Sequence, residues 1–142
     1  MAAGIFNRLA KQRKIRHVVA ESAGVFAMDG LRASAAAITV AHRHGINLTR
    51  HRTRLYSPEI GEQACLILTM TGEQWYCVTE FTPREKTFLL TNFATTDNPG
   101  IDIVDPYGSP LETYEEVFAE LEREIVRAFD AIVEWAEAHP TE

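Results

Sequence analysis

Apolar positions recur along this chain at two periods, and the changes of period mark out its elements. From Ala3 to Arg13, Ile5, Phe6, Leu9 and Ala10 fall on one face, with Arg8, Lys11, Gln12 and Arg13 elsewhere, which predicts an amphipathic helix. His17–Glu21 is short and β-branched and runs into Ser22-Ala-Gly24, predicting a strand that ends in a tight loop. Leu31–His44 is alanine-rich and stops at Gly45, a residue suited to a left-handed helix end, so a second helix is expected there. Ser57-Pro58 supplies an N-cap and an N1 proline for a brief helix. Ala64–Met70 is then almost continuously apolar, the pattern of a strand covered on both faces.

The second half continues the alternation. Thr71-Gly-Glu-Gln74 has the spacing of a capping box and opens a helix carrying Trp75, Val78 and Phe81. Lys86–Phe93 returns to a strand pattern, Asn98-Pro-Gly100 breaks the chain, and 102–108 reads as a loop. Ser109-Pro110-Leu-Glu112 combines an N-cap, an N1 proline and a reciprocal glutamate. Beyond it Tyr114, Val117, Phe118, Leu121, Ile125, Phe129, Ile132 and Ala136 recur at helical spacing until His139-Pro140, so a long helix closes the chain. Alternating strands and helices imply one α/β three-layer domain over residues 1–142, with a small parallel sheet whose ligand crevice lies beyond the carboxyl ends of the strands.

Composition narrows the function classes. With 142 residues, 46% of them hydrophobic and 24% charged, there is material for a single core. A net charge of −6 argues against broad nucleic-acid binding, which needs basic surface to displace counterions. No apolar run approaches the ~20 residues of a membrane-spanning helix, and Met-Ala-Ala-Gly-Ile-Phe-Asn-Arg does not read as a secretory leader, so a cytoplasmic protein without a membrane partner is expected. Cys65 and Cys77 lack a Cys-x-x-Cys or Cys/His neighbourhood; they read as buried free thiols, with no metal site.

Candidate chemistry is concentrated in Ile101–Gly108. Pro106 restrains Asp105 to extended geometry and Tyr107 can line a pocket, a setting suited to a proton donor, although Asp-Pro by itself commonly marks a turn. Ser22 ends the expected first strand, where strand ends meet a ligand crevice; most serines so placed cap a turn. His51, flanked by Arg50, Arg52 and Arg54, reads as a solvated residue in a loop able to attract phosphate.

Taken in order, Ser22-Ala-Gly-Val-Phe26, Gly45-Ile-Asn-Leu48 followed by His51-Arg-x-Arg, Leu66-Ile-Leu-Thr-Met70 and Asp105-Pro-Tyr-Gly108 resemble the low-molecular-weight protein-tyrosine phosphatases over essentially the whole chain. The resemblance implies phosphomonoester hydrolysis through a cysteinyl-phosphate, with side chains and water alone and no cofactor. Asp105 would be the general acid, Ser22 and His51 would support the phosphate loop, and Phe26 and Tyr107 would wall the pocket. The implied partner is a phosphorylated protein. In the family a first, central strand leads into a Cys-x5-Arg loop, and Met1-Ala-Ala-Gly-Ile-Phe6 resembles the segment that follows it. No Cys-x5-Arg occurs in this chain: Thr71 stands six residues after Cys65 and Pro83 six after Cys77. Without that thiolate the covalent route is closed, so the chain as given is expected to be inactive. A chain lacking the central strand is also expected to be destabilised and to self-associate through exposed strand edges. Met1 as a misassigned internal methionine is one explanation, and a non-catalytic relic binding phosphorylated partners through Arg52 or Arg54 is another. Thr71 after the apolar strand, the single Tyr107 before Gly108 and Ser22–Ala27 look closer to the bacterial branch that includes protein-arginine phosphatases. Phosphotyrosine is the broader assignment, phosphoarginine the alternative.

Overall fold

The structure, a computed structural model, describes residues 1–95 and 100–141. The expected break at Asn98-Pro99 lies outside the described residues. In chain order the elements are α1 (Ala2–Gln12), α2 (Ala35–Arg43), α3 (Pro58–Gln63), β1 (Ile67–Thr69), α4 (Gly72–Thr79), β2 (Thr87–Leu89) and α5 (Leu111–Ala138). β1 and β2 run parallel, with Ile67 opposite Thr87, Leu68 opposite Phe88 and Thr69 opposite Leu89.

The 28-residue α5 is the spine. Its stripe of Tyr114, Phe118, Leu121, Ile125, Ala128, Phe129, Ile132 and Val133 is buried, as helical periodicity requires. Against it α1 places Ile5, Phe6 and Ala10, and α2 places Val40 and Ala41. Phe6 and Phe129 meet at 5.1 Å between ring centroids. The sheet joins this core through Phe88, which packs edge-on against Trp135 of α5 at 5.4 Å. On the sheet, α4 is pinned by the Trp75 indole, which donates to the Thr87 carbonyl at 2.9 Å.

Several expectations hold in detail. Ser57 caps α3 with Pro58 at the first helical position. Thr71 and Gln74 form the reciprocal capping box of α4. α2 ends in Gly45 at φ +80°, with Ile46 donating back to the Ala41 carbonyl at 2.8 Å, the Schellman arrangement.

Others are corrected by tertiary contacts. His17–Glu21, expected as a strand, is irregular: its order comes from the Asn7 amide, which binds both N–H and C=O of Ala20 at 2.9 Å. β-branched residues favour a strand only where a neighbouring backbone completes the ladder, and no such neighbour stands among the described residues. α2 starts at Ala35 rather than Leu31, because Gly30 and Leu31 are taken up in backbone bonds with Thr53 and Ser34 caps the helix. β2 stops at Leu89. The next residues form a 3₁₀ turn over Leu90–Asn92, and Arg127 of α5 donates to the Leu90 and Phe93 carbonyls at 2.9 and 2.8 Å. Ser109 does not cap α5: the chain becomes helical one residue later, with Pro110 at ψ 162° in the N-cap position. Cys65 and Cys77 are free, and half-buried rather than buried.

Candidate active site

The site begins at the amino-terminal end of α1. Burial lowers the pKa of the Met1 amino group, and the nearby Asp105 carboxylate opposes that shift. On the other side stands His51, whose pKa is lowered by burial first, then by the positive Met1 amino group and by Arg52. A carboxylate and an imidazole thus both lie near the start of α1. Partial burial and two like charges disfavour the protonated form of His51, and its ring has no hydrogen-bond partner among the described residues.

Local backbone chemistry aims the acid. The Asp105 carboxylate accepts from the Tyr107 amide at 3.0 Å, and Ser109 donates to the Pro106 carbonyl at 2.8 Å, closing a turn around buried Pro106. Gly108, at φ +82°, completes that turn in a region where a side chain is strained. Asp105 therefore projects from a short rigid loop immediately before α5.

The opposite wall is a pair of interlocked loops. Gly24 bridges to the segment after His51, donating to Arg54 at 3.0 Å and accepting from Tyr56 at 2.9 Å. Asp29 accepts from the Leu55 amide at 2.7 Å, and the Thr53 hydroxyl donates to the Met28 carbonyl. Arg54 holds the start of this wall, donating to the Ser22 carbonyl at 3.0 Å and pairing with Glu21 at 3.1 Å.

His51 and Asp105 each lie near the amino-terminal end of α1. Ser22 sits exposed on the neighbouring loop, joined to the His51 segment through Arg54 rather than directly. Phe26 and Tyr107 are 78% and 79% exposed, so neither packs against protein as a closed pocket wall; both stand as open rims. Arg54, one of two cations expected to attract phosphate, is engaged with Ser22 and Glu21. Arg52 donates to the Thr49 and His51 carbonyls at 3.2 and 2.8 Å. Arg50 is the cation of this loop that has no partner among the described residues. Among the described residues no group of three His, Cys, Asp or Glu side chains gathers as a metal would require.

Parallel strands joined through a helix, with a long helix packed beside them, define the class of open α/β domains, whose ligands bind beyond the carboxyl ends of the strands. Within that class the chain matches the family of low molecular weight phosphotyrosine protein phosphatases over residues 1–136, and it belongs to that family. Among its relatives, a protein-arginine-phosphatase of Geobacillus stearothermophilus is 36% identical over 122 residues, covering 84% of this chain and 80% of the relative. The low molecular weight protein-tyrosine-phosphatase Etp of Escherichia coli K12 is 34% identical over 134 residues, covering 93% and 82%. The solved YwlE arginine phosphatase of G. stearothermophilus superimposes with a TM-score of 0.82 at 31% identity, over 99% of this chain and 88% of that one. The solved low molecular weight phosphatase of T. tengcongensis gives 0.83 at 32% identity, over 92% and 88%. The expected fold is therefore the observed one. No helix of the described residues is long and apolar enough to cross a membrane.

Proposed function

We propose that this domain serves the dephosphorylation of protein phosphotyrosine, with Asp105 as the general acid that protonates the leaving group. The observation that carries this reading is the position of Asp105: an exposed carboxylate, restrained by Pro106 and its bond to the Tyr107 amide, near the head of α1. A carboxylic acid so placed delivers a proton to a leaving oxygen without needing to reorient. His51 and Ser22 act in support, by holding backbone that faces phosphate. Phe26 and Tyr107 flank the substrate side chain.

In this reading the 142 residues by themselves do not turn over, since they contain no Cys-x5-Arg to form the phosphoenzyme. Phosphoarginine is the second reading, favoured by Tyr107-Gly108 following Asp105-Pro106 and by the arginine-phosphatase relatives. Self-association through the open side of β1 belongs to the same proposal, because β1 has one strand neighbour among the described residues.

The test is to isolate the native protein from its own cells, determine its intact mass and assay it on p-nitrophenyl phosphate and on phosphoarginine. A product heavier than 16.0 kDa that turns over, and that loses roughly 10²–10⁴-fold in kcat in Asp105→Asn, supports the acid role. Full activity in Asp105→Asn overturns it. Turnover by the 16.0 kDa chain overturns the expected inactivity.

A further inference from the structure

Among the described residues are two concavities of about 660 Å³ each, within the ~300–1,000 Å³ range of ligand clefts. They differ in charge. The one beside Trp135 carries Glu62 and Glu85 on its rim, and its cation, Lys86, is already bonded to the Gly61 and Ala64 carbonyls at 2.6 and 2.7 Å. The other, at the carboxyl end of α1, is rimmed by exposed Lys11, Lys14 and Arg16, and no acidic residue lines it. Its floor is apolar, formed by Ala10, Ile15 and Val18, which are buried or half-buried.

The three rim cations have no hydrogen-bond or ion-pair partner among the described residues. Neighbouring positive or titratable groups do: Arg13 pairs with Asp130 at 3.4 Å and His17 with Glu137 at 3.0 Å. A chain of net charge −6 therefore leaves three unpaired positive charges around one apolar hollow. The carbonyls at the end of α1 favour a cation in the last turn, which accounts for Lys11 but not for Arg16, which lies beyond the helix.

We propose that this groove is a docking site for an acidic segment of a protein partner, one that places an aliphatic side chain on the Ala10–Ile15–Val18 floor between flanking carboxylates. Charge complementarity selects an anionic ligand, and the apolar lining, buried Ala10 with half-buried Ile15 and Val18, selects an aliphatic side chain beside the carboxylates. Three cations form too small a patch to neutralise a nucleic-acid backbone, whose binding grows with each phosphate contacted. The site is separate from the phosphate chemistry: α1 has 11 residues, so at about 1.5 Å per residue its carboxyl end, where the groove opens, is about 16 Å from its amino-terminal end, near which Asp105 and His51 lie.

The experiment titrates the full chain into a fluorescein-labelled acidic pentapeptide with a central leucine between aspartates and glutamates, read by anisotropy. Amide chemical shifts map the site. Expected are shifts confined to 7–19, and an affinity that falls with added salt. It should weaken roughly tenfold in Lys11→Glu/Arg16→Glu, two reversed surface charges acting together. Circular dichroism checks that this variant is folded, and Lys11→Gln/Arg16→Gln gives a milder version of the same loss should it not be. Unchanged affinity in the neutral variant overturns the proposal, as do shifts elsewhere or equal binding of a peptide with serine for leucine. Binding to phosphatidylserine-containing vesicles without binding to the peptide also overturns it.

Discussion

At the residue scale, a few side chains sit in conformations that the sequence does not announce. α1 closes with the same Schellman bonds as α2: Ile15 donates to Ala10 at 2.8 Å and Lys14 to Lys11 at 3.2 Å. Here, however, the left-handed position is occupied by Lys14, at φ 60°, where α2 has Gly45. A left-handed L-residue costs ~1–2 kcal/mol, and glycine gives back part of that gain through a floppier unfolded chain. Lys14→Gly is therefore expected to stabilise the fold by roughly 0.5–1 kcal/mol, seen as a higher urea midpoint at constant m-value. His51 makes a pH prediction. Its folded pKa lies below the ordinary 6.5, so between those two values the unfolded chain binds more protons than the folded one. Stability is then full above pH 6.5 and falls as acid protonates the imidazole. His51→Gln should flatten that acid limb in urea titrations run at several pH values; an unchanged limb would show that the imidazole is not what senses the proton.

At the element scale, local capping and long-range packing divide the work. α4 has 8 residues, too short to persist alone, and depends on its first turn. There Thr71 accepts from the Gln74 amide at 3.2 Å while the Gln74 side chain accepts from Thr71 and Met70 at 3.3 and 2.9 Å. Thr71→Ala should cost about 1 kcal/mol, measurable by chemical denaturation, and Thr71→Ser should restore most of it. β2 and its 3₁₀ turn belong to the opposite case. Nothing in Lys86–Phe93 foretells a strand of three residues; Arg127, about a quarter of the chain away, takes the Leu90 and Phe93 carbonyls just beyond it. The α2–α5 contact adds an electrostatic clamp, in which Glu115 has its pKa lowered by the His44 hydrogen bond first and by Arg43 after it.

At the scale of the whole molecule, one long helix and a short sheet leave the edges as the exposed liability. β1 has β2 on one side and no second strand neighbour among the described residues, although Thr69 is buried and Ile67 and Leu68 are half-buried. Half of a parallel strand's backbone groups point away from its single neighbour and seek a partner. The isolated 142-residue chain is accordingly expected to sediment as a dimer or larger species at micromolar concentration and to melt broadly. A monomeric profile with a sharp cooperative melt would contradict the edge-association proposal.

What the sequence determined by itself is what short-range physics controls. The α5 stripe, the α4 capping box, the Ser57-Pro58 start and the Gly45 stop each depend on residues within a few positions of one another, so their spacing was sufficient. The order of four short motifs was also enough to point to the phosphatase family and to single out Asp105. The tertiary structure alone decided whether a β-prone stretch becomes a strand. Val18-Val19 has the propensity but lacks a ladder partner, so an asparagine amide orders it instead. It alone also decided that His51 and Asp105 both lie near the start of α1, and that Phe26 and Tyr107 stand open. Burial, local dielectric and backbone pairing are properties of neighbours distant in sequence, and those neighbours are set only once α1, α2 and α5 have packed.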